Sequence, residues 1–250
     1  MFILFALIFM RMTGAVMFNP VLGRTNLPRS YKGALIFTLT LMMYMGVEGE
    51  LSRTPSTMLE YGVMLMQELM VGFILGFSME LFFMIIRFAS SIMDYTMGLS
   101  MAQSYDPTTN TQMTVSSGLF YAFLFLLFLA GDGHVRFLGL IIGSVRLIPF
   151  GQVQLGPEVS QLMLEIFKIN IVTGLQFAFP IIAMEMVTET AVGILMRMIP
   201  QINVFAVNFQ LKILVGLMML VYMFSPMSDK LYMILDDMFL YMQRLIALMG

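Results

Sequence analysis

The 250-residue chain is 59% hydrophobic and only 11% charged, against about 25% charged residues in an ordinary soluble domain. So few charges cannot cover a water-facing globule of this length, so the surface must meet lipid or other protein. A net charge of −2 gives no reason to expect nucleic acid, the absence of cysteine excludes disulfides and thiolate metal sites, and one histidine, His134, excludes a multi-histidine metal site.

In chain order, Met1 to Met10 is apolar without a basic leader or a small-x-small cleavage pattern, and reads as a retained structural helix. The first apolar block, Phe2 to Phe18, ends at Asn19-Pro20. A turn-rich stretch from Asn19 to Tyr31 holds Pro20, Gly23 and Pro28 with Arg24 and Arg29. A second block, Gly33 to Val47, stops at Glu48-Gly49-Glu50. After Arg53-Thr54-Pro55-Ser56 a long helical stretch is predicted from about Met58 to Gln103. A polar loop, Ser104 to Thr114, precedes Val115 to Ala130. Gly131-Asp132-Gly133 then turns into a shorter apolar piece ending at Pro149-Phe150-Gly151. Glu158 to Arg197 reads as a second long helical stretch, bent where Pro180 removes a backbone donor. Pro200 breaks it, Ile202 to Phe224 follows, and Ser225-Pro226 separates a last helix, Asp229 to Met249. No β-alternation is visible, so the predicted class is all-α.

A spanning helix needs about 20 predominantly apolar residues. The charge-free runs here are mostly shorter, as in Gly33 to Val47, Leu69 to Met79 and Ile169 to Met184. Charges interrupt the helical stretches at Glu68, Glu80, Arg87, Asp94, Glu165, Lys168, Glu185, Glu189 and Lys212. Each would cost roughly 2.5–3.5 kcal/mol at a bilayer centre. They belong in an assembly interior, in a wet channel or outside the hydrocarbon layer. Glu165 and Lys168 are spaced to pair directly, while Glu185 and Glu189 are like charges one turn apart. Intersubunit ion pairs are the preferred reading of these charges, and a proton relay is the alternative.

Thirty methionines and no tryptophan fit equally a lineage bias toward methionine in apolar cores and a need for soft, adaptable packing. Tyr44, Tyr61, Tyr222 or Tyr232 would have to serve as interfacial anchors. Gly72 with Gly76, and Gly139 with Gly143, each present a flat strip where another helix can approach. His134 sits in a Gly-Asp-Gly-His turn without a nucleophile partner, so it reads as a turn or interface residue.

Several segments together resemble one family. These are Arg11-Met-Thr-Gly14, Asn19-Pro20-Val21-Leu22-Gly23-Arg24 with Pro28, and Glu68 with Gly72, Phe73 and Gly76. Met97-Gly98-Leu99-Ser100-Met101-Ala102 leading to Asp106-Pro107 follows, then Gly133-His134, Ser144 and Pro149-x-Gly151. The most specific is Gly193-Ile-Leu-Met-Arg197-Met-Ile-Pro200-Gln201-Ile-Asn203-Val204-Phe205, followed by Lys212-Ile213. Over nearly the whole chain, 1–250, this resembles the FliR/SctT family of type III secretion export-gate subunits. Ser90 and Asp94 stand where the family tends to have glycine, Gln210 where it tends to have proline, and the start is several residues short. A carboxylate at 94 needs a partner that glycine would not.

The resemblance implies a single export-gate domain, all-α and built of hydrophobic helical hairpins, in the bacterial inner membrane, within the flagellar basal body. It implies a non-enzymatic subunit without cofactor, joined to FliP-like and FliQ-like subunits and an FlhB-like switch protein. Such a gate passes unfolded export substrates, here flagellar in preference to virulence proteins. The polar loop Gln103, Ser104, Tyr105, Asp106, Pro107, Thr108, Thr109, Asn110, Thr111, Gln112 and Met113 is then expected as a plug in the pore, against the plainer reading of a surface loop. Met93, Met97 and Met101 line one helical face as a gasket or, preferably, as core. Glu68, Gly72, Gly76, Gly139, Gly143, Arg197, Pro200, Gln201 and Asn203 are expected at helix contacts. Pro200 should end a helix while Gln201 and Asn203 bond the freed backbone groups. The rival from another class is a small-solute secondary transporter using Glu185, Glu189 or Lys212, though no inverted repeat supports it. A third, an intramembrane enzyme, lacks a catalytic pair.

Overall fold

The computed structural model describes residues 2–24, 27–46, 54–106, 111–199 and 204–250. The protein is all-α apart from one small hairpin. In order, the elements are α1 (Phe2–Met17), α2 (Arg29–Gly46), α3 (Met58–Met97), a 3₁₀ turn (Leu99–Met101), β1 (Gln103–Asp106), β2 (Thr111–Thr114), α4 (Val115–Ala130), α5 (Gly133–Leu147), α6 (Pro157–Met198) and α7 (Val204–Met249). The two strands are antiparallel, with Gln103 opposite Thr114 and Asp106 opposite Thr111. They occupy the stretch read from sequence as a loop.

Local chemistry accounts for most boundaries. After α1, the Asn19 side chain accepts the backbone N–H groups of Val21 and Leu22 at 2.8 and 2.9 Å, turning the chain back. Helix α3 stops at Met97, six residues before the predicted Gln103, because Gly98 adopts φ +79°. A left-handed glycine just past the last turn is a standard helix terminator. Between α4 and α5, Asp132 is left-handed (φ 54°), and the two helices meet at a 65° bend. A Cβ at Gly133 would collide with the Phe128 ring.

The predicted break at Ser225-Pro226 does not exist. Helix α7 runs 46 residues with Pro226 inside it, and α6 likewise continues through Pro180. Proline removes one ladder hydrogen bond and clashes with the preceding turn, but its fixed φ is already helical. In an apolar setting, abandoning the helix would strand many more backbone groups without partners.

The described chain forms two compact units. Unit 1 comprises 1–83, 127–168 and 235–250, and unit 2 comprises 84–126 and 169–234. In unit 1, α1 lies against α3 through Gly14, Gly72 and Gly76. A Cβ at Gly72 would strike the carbonyl oxygen of Arg11, and one at Gly14 that of Leu69. Phe5 of α1 meets Phe37 and Tyr44 of α2 edge-on, and Phe128 contacts both Phe83 and Phe239. In unit 2, Phe120 packs edge-on against Phe177 at 5.1 Å, and Gly174 lets α6 approach Ile85 and Ala89 of α3.

Helices α3, α6 and α7 are each long and apolar enough to cross a membrane, and the bent α4–α5 pair would add a fourth span if counted as one. The short charge-free runs understated these helices, because each carries charged residues within an otherwise apolar stretch. At 1.5 Å per residue, a 40-residue helix is about 60 Å long, roughly twice a hydrocarbon core.

Candidate functional site

Two hydrogen-bonded groupings around fully buried charged residues, one in each unit, stand out among the described residues. The first centres on Arg11 and Glu68, both fully buried. Arg11 Nε donates to Glu68 Oε2 at 2.6 Å, Nη1 to Ser144 Oγ at 3.2 Å, and Nη2 to the Ile148 carbonyl at 3.0 Å. The other oxygen of Glu68 accepts the Gly151 N–H at 3.1 Å, and the guanidinium lies 4.4 Å from the Phe150 ring centroid. Arginine's planar fork can satisfy several acceptors at once, so one side chain joins α1, α3, α5 and the turn after α5. Four sequence segments that carried the resemblance separately, around Arg11, Glu68, Ser144 and Gly151, thus converge on one site. The Gly72–Gly76 strip beside it is filled by α1.

The second grouping, in unit 2, lies at the base of the hairpin, between α3 and the first turn of α4. Asp94, fully buried, accepts the Ser116 backbone N–H at 2.7 Å on Oδ2 and the Ser116 hydroxyl on Oδ1. Ser117 Oγ donates to the Arg87 carbonyl, and the Arg87 guanidinium stands 5.1 Å from the Tyr121 ring centroid. The partner that Asp94 requires is therefore the first turn of α4. Gln103 and Tyr105 are exposed on β1, as is Gln112 on β2, whereas Met113 and Thr114 at the foot are buried. Pro107, Thr108, Thr109 and Asn110 lie outside the described residues, as do the side chains of Ser104, Asp106 and Thr111.

Met93 and Met97 are fully buried, and a Cβ at Gly216 of α7 would overlap the Met97 side chain. The Met101 side chain is outside the described set. Lys212 Nζ lies 3.2 Å from Glu189 Oε1. Glu185, one turn earlier on α6, is buried, and neither of its carboxyl oxygens is hydrogen-bonded among the described residues. Glu165 and Lys168 are both exposed and form no ion pair among the described residues. An exposed pair of long side chains gains too little to be held together.

Gly139 and Gly143 lie exposed on α5 with open space where a Cβ would stand, so their strip meets nothing among the described residues. His134 is exposed in the first turn of α5. Arg197 is exposed in the last turn of α6, which stops at Met198, just short of Pro200. Pro200, Gln201 and Asn203 lie outside the described residues. Sequence reasoning missed the Arg11–Glu68 pairing and the role of Ser116. A lone arginine within an apolar block was the one signal for the former.

A family described as Bacterial export proteins, family 1, matches residues 2–238. The flagellar biosynthetic protein FliR of Pectobacterium carotovorum subsp. carotovorum is 29% identical over 230 residues, covering 90% of this chain and 86% of that protein. FliR of Bacillus subtilis (strain 168) is 27% identical over 251 residues, 98% of this chain and 95% of that one. FliR of Aquifex aeolicus (strain VF5) is 30% identical over 208 residues, 80% and 77%. With two buried polar groupings in an apolar helical chain and a match along nearly its whole length, the chain belongs to the bacterial export protein family that includes FliR.

Proposed function

We propose that the chain is a non-enzymatic subunit of the flagellar type III export gate in the bacterial inner membrane. Residues 1–250 act as one functional export-gate domain, assembled with FliP-like and FliQ-like subunits and contacted by an FlhB-like protein. The observation that carries this reading is the bareness of the first half of α7, where Leu214, Met218, Val221 and Tyr222 are all exposed, while its second half buries one side from Met227 onward. The exposed α6 residues Phe179, Met186, Val187 and Ile194 add to it. Exposed apolar area on this scale marks contact with lipid or other subunits.

Within that gate, the 103–114 hairpin is a plug. It is polar and almost uncharged, flanked by apolar helices, and suited to meet an unfolded chain without holding it. The burial of Met93 and Met97 supports a packing role for them behind the plug. Exposed Gly139 and Gly143 offer α5 to a neighbouring subunit.

Co-expression with the FliP-like and FliQ-like chains, purification through a tag on this chain and native mass spectrometry test the assembly. A stable complex of several small apolar subunits around this chain is expected. A lone monomer or homo-oligomer would overturn the gate reading and favour a solute transporter. For the plug, deleting Ser104 to Gln112 in the assembled complex should raise ion leakage in proteoliposomes. Unchanged conductance with normal secretion would sink it.

A further inference from the structure

The root of the hairpin is built asymmetrically. On one side, β2 ends at Thr114 and α4 starts at Val115 with no residue between them. On the other, α3 reaches β1 through Gly98, at φ +79°, and the 3₁₀ turn Leu99–Met101. One arm is thus continuous with a helix, and the other carries a glycine in a conformation open to few residues.

Across this root, Asp94 on α3 grips Ser116 on α4, 22 residues away, by both its backbone N–H and its hydroxyl. The first backbone N–H groups of a helix have no partner inside the helix, and this end carries the positive pole of the helix dipole. A carboxyl group placed there satisfies donors that would otherwise be buried and unpaired. Asp94 is itself fully enclosed, so water cannot substitute for Ser116. Ser117 adds a second tie, from its hydroxyl to the Arg87 carbonyl of α3. The excursion 95–115 is therefore closed at its base, and any movement of the strands must occur beyond that closure.

We infer that Asp94 is a positioning residue for the hairpin: its bonds to Ser116 clamp the foot of β2 to α3, leaving the turn at Gly98 as the pivot. The functional half of this inference rests on the plug reading; the clamp itself does not. With the foot fixed, the hairpin swings as a unit and returns to one seat. Without the clamp, α4 frays at its first turn and the strands lose a defined resting position.

The experiment uses the full chain in its co-expressed complex, reconstituted in proteoliposomes, with two readouts. Amide hydrogen exchange over residues 111–120 reports the clamp directly, and ion leakage reports sealing. Asp94→Ala should speed exchange of the Ser116 amide by roughly tenfold or more, the scale of a lost hydrogen bond to a charged or strongly polar group. Ser116→Ala keeps the backbone bond and should give a smaller rise, and Ser116→Thr, which keeps the hydroxyl, should restore the parent rate. Leakage should follow the same order while subunit composition by native mass spectrometry stays constant.

Unchanged exchange in Asp94→Ala overturns the clamp. Faster exchange with parent-level leakage, where the 104–112 deletion does leak, overturns the positioning role and leaves the plug standing. If the deletion itself does not leak, the plug reading fails and exchange alone decides the clamp. Should Asp94→Ala not assemble, the Ser116 pair carries the same comparison, because serine, alanine and threonine differ only at the hydroxyl and a methyl group.

Discussion

Arg11 and Glu68 show what an apolar protein must do with an ionic pair. Taking two charges out of water costs several kcal/mol each, and the pair survives only if every remaining donor and acceptor is met. Here Ser144, Ile148 and Gly151 meet them. Removing either partner should be worse than removing both. Arg11→Met or Glu68→Leu alone is predicted to lower stability by about 3–5 kcal/mol, with the double variant recovering most of the loss. Thermal unfolding in detergent of the two single variants and the double measures this. A double variant no more stable than the weaker single one would show that the pair's geometry, and not its charge balance, holds the site. The residue types of this site were legible in the sequence, since Arg11, Glu68, Ser144 and Gly151 each stood in a distinctive segment. Their convergence was not, because spacings of 57 to 137 residues carry no periodic signal. Asp94 was legible only as a residue in need of a partner, and Ser116, one of several serines at a helix start, gave no sign of being it.

Among the elements, glycine strips divide by what fills them. At Gly72 the backbone of α1 occupies the place of a side chain, whereas at Gly139 nothing does. Gly72→Ala should therefore force α1 off α3 and destabilise the chain. Gly139→Ala should leave the isolated chain as stable or slightly more so, since alanine gains up to about 1 kcal/mol over glycine in a helix, while weakening retention of neighbouring subunits. Melting temperature and pull-down of co-expressed partners separate the two effects. Equal destabilisation by both substitutions would contradict the distinction. The order of helices was readable, and α4 at Val115–Ala130 coincides with its prediction, because Thr114 and Gly131 bracket an uninterrupted apolar run. The misplaced helix boundaries share an origin. A proline or glycine in sequence signals a break only through its backbone angles, and Pro226 keeps helical ones while Gly98 does not. Met97 and Gly98 are followed by further apolar residues, which hid the true end of α3, and the alternation in so short a polar hairpin was too brief to register as strand.

At the scale of the whole molecule, the outward apolar faces set the environment in which it exists. Leu214, Met218 and Val221 recur along one exposed side of α7 at helical spacing. Introducing Asp at both 218 and 221 should cost roughly 2.5–3.5 kcal/mol per residue if that side lies in lipid. The double variant Met218→Asp/Val221→Asp is predicted to lose membrane retention on alkaline extraction, or partner subunits on native mass spectrometry. Which of the two is lost tells whether lipid or protein covers α7. Retention of both would mean that this side faces water, contrary to its composition.

The division of the chain into units has a consequence for the order in which the protein is made. Unit 1 draws on the first 83 residues, on 127–168 and on 235–250, whereas unit 2 lies wholly between 84 and 234. The backbone bond from Gln154 N–H to the Met249 carbonyl, and the packing of Gly250 against Leu147 and Ile148, therefore join a segment synthesised midway to one synthesised after all of unit 2. Arg11 and Glu68 can meet early on the ribosome, yet the wall that encloses their unit arrives last. The half of the protein begun first is finished second, and in the interval its core stands open to chaperones, to the insertion machinery and to neighbouring subunits.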